Sequence, residues 1–75
     1  MGFTKNEAES RVGKKVRLIK ITRKETSRFN VGTMGVVDHC WPSKHGGYGL
    51  TVEVGRRRLS VSFLREQYET ELEEI

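Results

Sequence analysis

The chain has 75 residues, fourteen Lys and Arg against ten Asp and Glu, two His, and a single cysteine, Cys40. One short domain of this size has a thin core, burying only about 60% of its unfolded surface. One cysteine excludes an internal disulfide, and His39, Cys40 and His45 are too few for a structural zinc site. No apolar run approaches the ~18 residues of a membrane span. The polar opening MGFTKNEAES does not read as a secretory signal. With its free thiol, the chain is therefore expected to be a soluble cytoplasmic protein. The formal charge of +4 hides a segregation: residues 1–65 carry +9, and residues 66–75 carry −5 with no base. Such asymmetry bears on partners and encounter rates rather than on fold.

Thr4 to Val12 predicts a short helix. Thr4 stands three residues before Glu7, the spacing at which a hydroxyl and a carboxylate each accept from the other's backbone amide. Phe3, just outside, can fold back on Ala8, and Gly13 ends the segment. Lys15 to Thr22 predicts the first strand, with the adjacent Leu18 and Ile19 placing apolar groups on both faces. RKETSRFN, residues 23–30, breaks the pattern with charge and hydroxyls and reads as a mobile loop bearing one aromatic, Phe29.

Val31 to Asp38 predicts the second strand, continued by His39 to Trp41 into Pro42. Its glycines, Gly32 and Gly35, suggest a bulge or a close backbone approach. SKHGG is a turn. Tyr48 to Val54 then alternates, with Tyr48, Leu50, Val52 and Val54 on one side and Gly49, Thr51 and Glu53 on the other. Gly55-Arg56 turns the chain into a fourth strand, in which Leu59, Val61 and Phe63 alternate with Ser60 and Ser62. From 64 to 75 the period becomes helical: Leu64, Tyr68, Leu72 and Ile75 share a face opposite Glu66, Glu69, Glu73 and Glu74.

The expected fold is mainly β within the α+β class: four to five strands in a single domain over residues 1–75. It comprises a helical turn at 4–12, a barrel at 15–63 and a closing helix at 64–75. The expected core is Val16, Leu18, Ile21, Met34, Val36, Leu50, Val52, Leu59, Val61, Phe63, Tyr68 and Leu72.

VGKKVRL at Val12–Leu18 followed by GTMGVV at Gly32–Val37 resembles the opening of small SH3-like barrels. In KOW-type modules a Gly-x-x-Val start leads into a strand and Gly-x-x-Gly-x-Val follows the first loop; Gly13, Val16, Gly32, Gly35 and Val37 match. The layout is also similar to the small barrel subunits of ferredoxin-dependent photosynthetic complexes. It looks, too, like small uncharacterised bacterial proteins with a Phe-Thr-Lys start and a Tyr-x-x-x-Leu-Glu-Glu end, here Tyr68 and Leu72-Glu73-Glu74. The resemblance implies a small barrel over residues 12–75. The segment from Thr22 to Val31 is longer and more charged than the KOW linker, so RNA or ribosome binding is not carried over with the fold.

Nothing in the sequence reads as an active site. Cys40 and His39 are neighbours on a strand, where side chains point to opposite faces, so they do not form a thiol–base pair. GTMG at 32–35 lacks the Lys-Ser/Thr of a phosphate loop and runs into a strand. No cofactor or metal is expected. Two binding readings remain. In the first, Phe29, Trp41 and Tyr48 line an aromatic groove for a protein or peptide partner. In the alternative, Arg23, Lys24, Arg28, Arg56, Arg57 and Arg58 track the phosphates of a nucleic acid. The first is preferred because an acidic carboxy-terminal helix repels phosphates on its side. Whether the two basic groups share a face is not legible from the sequence. An uncovered edge strand leaves the chain a monomer or a weak homodimer.

Overall fold

The computed structural model describes residues 2–75. Its elements are α1 (Lys5–Arg11), β1 (Lys15–Leu18), α2 (Lys24–Ser27), β2 (Met34–Pro42), β3 (Tyr48–Val54), β4 (Leu59–Phe63), α3 (Arg65–Glu71) and β5 (Leu72–Glu74). The five strands form one antiparallel sheet in the order β4-β3-β2-β1-β5. The radius of gyration is 11.2 Å, close to the roughly 11 Å of one compact body of this length. Among the described residues no helix is long and apolar enough to cross a membrane.

The amino terminus folds as its capping residues dictate. Glu7 N–H donates to Thr4 Oγ1 at 3.1 Å, and Thr4 N–H to Glu7 Oε1 at 2.9 Å. This reciprocal bonding satisfies two amides at the start of α1. Phe3 is then held between elements rather than at a loose end. Its backbone exchanges two hydrogen bonds with Tyr48, at 2.9 and 2.7 Å. Its ring meets the Tyr68 ring edge-on, 5.6 Å between centroids. The guanidiniums of Arg11 and Arg65 lie over the Phe3 ring at 4.6 and 5.7 Å.

The buried core is Phe3, Ala8, Val16, Leu18, Val37, Leu50, Val52, Val54, Val61, Phe63, Tyr68 and Leu72. Four expected members lie outside it. Met34 and Val36 are 49% and 42% exposed because Gly35 and Val37 take the inward positions of β2. The inward place of Gly35 follows from a close approach of β3: a Cβ there would stand 2.8 Å from the Glu53 carbonyl. Ile21 is exposed because the first strand ends at Leu18, not Thr22; the Ile19 and Lys20 amides instead both reach the Glu71 carbonyl. Leu59 is half-buried.

Two elements differ in kind from the expectation. Residues 23–30 contain the helical turn α2, whose Thr26 is buried. The closing helix stops at Glu71, and residues 72–74 pair with β1 as a strand, Leu72 opposite Leu18 and Glu74 opposite Val16. The helical period of Leu64 and Tyr68 ends at Glu71, and Leu72 is already extended. Beyond it, pairing with the open edge of β1 satisfies more backbone groups than another helical turn: Ile75 N–H reaches Lys15 C=O at 3.0 Å.

β2 carries the feature that shapes the outer face. Its register against β3 shifts between Val37 and His39, leaving Asp38 as an extra residue. A bulge of this kind bends the strand and reverses which residues point inward. Val37 points to the core before it and Cys40 after it, where Cys40 packs on the core opposite Leu50. His39 and Trp41 are turned outward.

Candidate peptide groove

Trp41 is opposite Gly49. Its six-membered ring occupies the space a Cβ on Gly49 would need. Its indole N–H donates to Thr51 Oγ1 at 3.0 Å. Gly49 and Thr51 are consequently buried, although they lie on the face of β3 that the sequence assigns to solvent. The ring is thus fixed flat against the sheet and remains half-buried.

Depressions open on both sides of it. One, of about 410 Å³, is lined by Arg23, Glu25 and Arg28 from the β1–β2 loop, Trp41, Ser60 to Ser62 of β4, Leu64 and Gln67. The other, of about 400 Å³, is bounded by Trp41, Pro42, Ser43, Lys44, His45 and Leu64. Trp41 and Leu64 belong to both, so they form the apolar ridge of one longer groove. Leu64 is positioned by Gln67, whose Oε1 accepts from the Leu64 N–H at 2.8 Å at the start of α3.

The loop that forms the polar wall is held by one carboxylate. Glu71 is completely buried. Its Oε2 accepts from the Thr22 amide (3.0 Å), the Thr22 hydroxyl (2.8 Å) and the Thr26 hydroxyl (2.8 Å); its Oε1 accepts from Arg23 Nε (2.9 Å). Burial by itself pushes the Glu71 carboxyl up. The bonds from the Thr22 backbone, Arg23 and the two hydroxyls outweigh that and hold it below the ordinary carboxylate value. Arg23 in turn lies over the Phe63 ring at 4.8 Å and donates to the Ser62 carbonyl at 3.0 Å.

The sequence-derived residues are therefore distributed unevenly. Of Phe29, Trp41 and Tyr48, only Trp41 lines the groove. Phe29 and Tyr48 are half-buried and pack on the core from different places. Arg23 is tied to Glu71, while Lys24 and Arg28 are exposed and have no ion-pair partner among the described residues. Arg58 lines a separate depression with Lys15, Met34, Gly35, Val36, Glu53 and Gly55; Arg56 lines a third with Thr33 and Met34; Arg57 is exposed. The two basic groups nevertheless approach each other in the fold. The Phe29 ring lies 3.6 Å from where a Cβ on Gly55 would be, so the segments bearing Arg28 and Arg56 abut.

The acidic carboxy-terminal segment is not a free face. Glu69 pairs with Arg65 (3.4 Å), Glu71 with Arg23 (2.8 Å), Glu73 with Arg17, and Glu74 with Arg11 (3.5 Å). The Tyr68 hydroxyl also donates to Glu74, and burial together with that neighbour drives the phenol's pKa far upward. The sequence-based expectation of a repelling acidic face is corrected accordingly: its carboxylates are largely matched by arginines from α1, β1, the first loop and α3.

Cys40 is half-buried against the core, His39 Nδ1 lies 2.7 Å from Asp38 Oδ2 at the surface, and His45 is in the β2–β3 turn. Among the described residues no three of His, Cys, Asp and Glu are grouped to hold a metal ion. Comparison with protein families, curated proteins and solved structures finds no match to this chain.

Sequence reasoning missed Thr26, Glu71, Leu64, Gln67, Ser60 and Ser62 as builders of the groove. The only signal was Thr22 just before the charged loop and Thr26 within it, which mark a segment rich in donors without saying where its acceptor lies.

Proposed function

We propose that the chain is an SH3-like small barrel acting as a non-catalytic binding module of the cytoplasm, and that it receives a peptide segment of a protein partner in the groove beside Trp41. The strand order, with β5 returning beside β1 and a bulged β2 shared by β1 and β3, supports the barrel reading. One observation carries the function: Trp41 is immobilised on Gly49 and Thr51 yet half-open, with a depression on each side. A rigid aromatic anchor flanked by polar groups is what extended ligands use for affinity and orientation. Selecting a displayed library of random peptides against the full chain tests this. Selected peptides should shift the emission of the single tryptophan and lose binding in Trp41→Ala. Binders that leave Trp41 undisturbed refute it.

A second reading, nucleic-acid binding, draws support from the Phe29–Gly55 packing that brings Arg28 next to Arg56–Arg58, and from the ion pairing of the acidic segment. Labelled single- and double-stranded oligonucleotides titrated at low and moderate salt separate the two. Phosphate tracking gives a slope of log K against log salt of about −0.7 to −0.9 per contact, and that slope should shrink in the triple Arg56, Arg57, Arg58→Ala variant. No binding at low salt removes this reading.

A further inference from the structure

β4 is an edge strand, with β3 on one side and the groove on the other. In an antiparallel ladder the N–H and C=O of a residue point to the same side, and successive residues alternate. Ser62 directs its carbonyl at Arg23, away from β3. Ser62 and Ser60 therefore both present their backbone to the groove, while Leu59, Val61 and Phe63 pair with β3. The bonds elsewhere in the sheet follow the same phase: Val37 bonds to Gly13 and Lys14, Gly55 to Met34, and Ile75 to Lys15. Among the described residues the Ser60 N–H, the Ser60 C=O and the Ser62 N–H have no partner.

Building on the peptide reading above, we propose that the groove takes its ligand as an added strand on β4 and that this strand carries a carboxylate for Arg28. The free groups on Ser60 and Ser62 have the two-residue period of a strand ligand. The register places Trp41, Gly49, Thr51 and Ser62 on one face, so alternate side chains of the added strand would run along the Trp41 ridge. The charge balance selects the ligand's chemistry. Among the described residues Arg23 is matched by Glu71 and by Glu25 at 3.8 Å, whereas Arg28, beside Ser60 and Ser62, and Lys44, at the far end of the groove, have no ion-pair partner; Arg28 is the one that borders β4. Bases beside an edge strand also serve to repel pairing, which is the opposite outcome of the same test.

The experiment uses the full chain, a phage library of random twelve-residue peptides, and the strongest selected sequence as a synthetic peptide. Selected sequences should be rich in Val, Ile and Thr, carry Asp or Glu, and lack Pro. In ¹⁵N-labelled protein the bound peptide should slow exchange of the Ser60 and Ser62 amides while leaving Val61, already paired with β3, unchanged. N-methylating alternate backbone nitrogens of the peptide should weaken binding by about tenfold or more, as should Arg28→Glu, with the thermal midpoint of the variant unchanged. A selected peptide that shifts Trp41 but leaves both serine amides exchanging freely, or that is proline-rich or basic, overturns strand addition and leaves the peptide reading standing. A library that yields no binder overturns both.

Discussion

Replacing Glu71 tests the linkage between the last helix and the groove wall. Glu71→Ala removes the acceptor for Thr22, Arg23 and Thr26, and leaves the Arg23 guanidinium without its buried partner. Breaking a buried pair from one side costs about 3–5 kcal/mol. A domain of 75 residues at ~0.05–0.15 kcal/mol per residue has only about 4–11 kcal/mol in total. Glu71→Gln keeps the shape but loses the charge and turns an amide NH₂ toward donors, so its cost should be about 1.5–3 kcal/mol. The folded-state carboxyl lies below its ordinary value of 4.5. Its contribution is therefore complete above the unfolded pKa and is lost as pH falls through the folded one. Urea unfolding followed by Trp41 fluorescence, repeated from about pH 6 down to about pH 2, should show the native chain losing stability more steeply than Glu71→Gln. A Glu71→Ala cost under about 1 kcal/mol, or equal acid slopes in the two proteins, would refute the reasoning.

Three further outcomes follow from the packing. Gly49→Ala forces the Trp41 ring off the sheet and should cost about 1–3 kcal/mol, with a red shift in tryptophan emission; unchanged emission would count against the fixed ring. Phe3→Ala should cost about 3–5 kcal/mol by urea titration, since the ring is 1% exposed among Tyr68, Arg11 and Arg65. Thr4→Ala should cost about 1 kcal/mol through the lost cap, measured as a drop in urea midpoint at constant slope.

The parts of the fold legible in the sequence are those decided locally. The Thr4–Glu7 capping box lies within one turn, and β3 and β4 are written as alternation, so Tyr48–Val54 and Leu59–Phe63 agree with the structure. What escaped was decided at long range. Residues 72–74 look helical by spacing, and only the vacant edge of β1 makes them a strand. Met34 and Val36 are as apolar as Val37, and it is the approach of β3 to Gly35 that sorts them. Glu71 reads as one acid among five in the final ten residues, and its partners lie 45 to 49 positions away. At the site, Trp41 was identified as an aromatic of interest, but Phe29 and Tyr48 were grouped with it by composition and are separated from it by the fold.

The extra residue at Asp38 ties what this domain displays to the pairing of one strand. Were the bulge straightened with Asp38 kept in a regular ladder, alternation from Val37 would turn the indole at 41 toward the interior and the thiol at 40 toward solvent. The same side chains, in the same order, would then display an oxidisable sulfur where a flat hydrocarbon surface now stands. Deleting Asp38, by contrast, leaves Val37 and Cys40 inward and Trp41 outward, so it is the pairing of the backbone, not the count of residues, that decides what a partner meets.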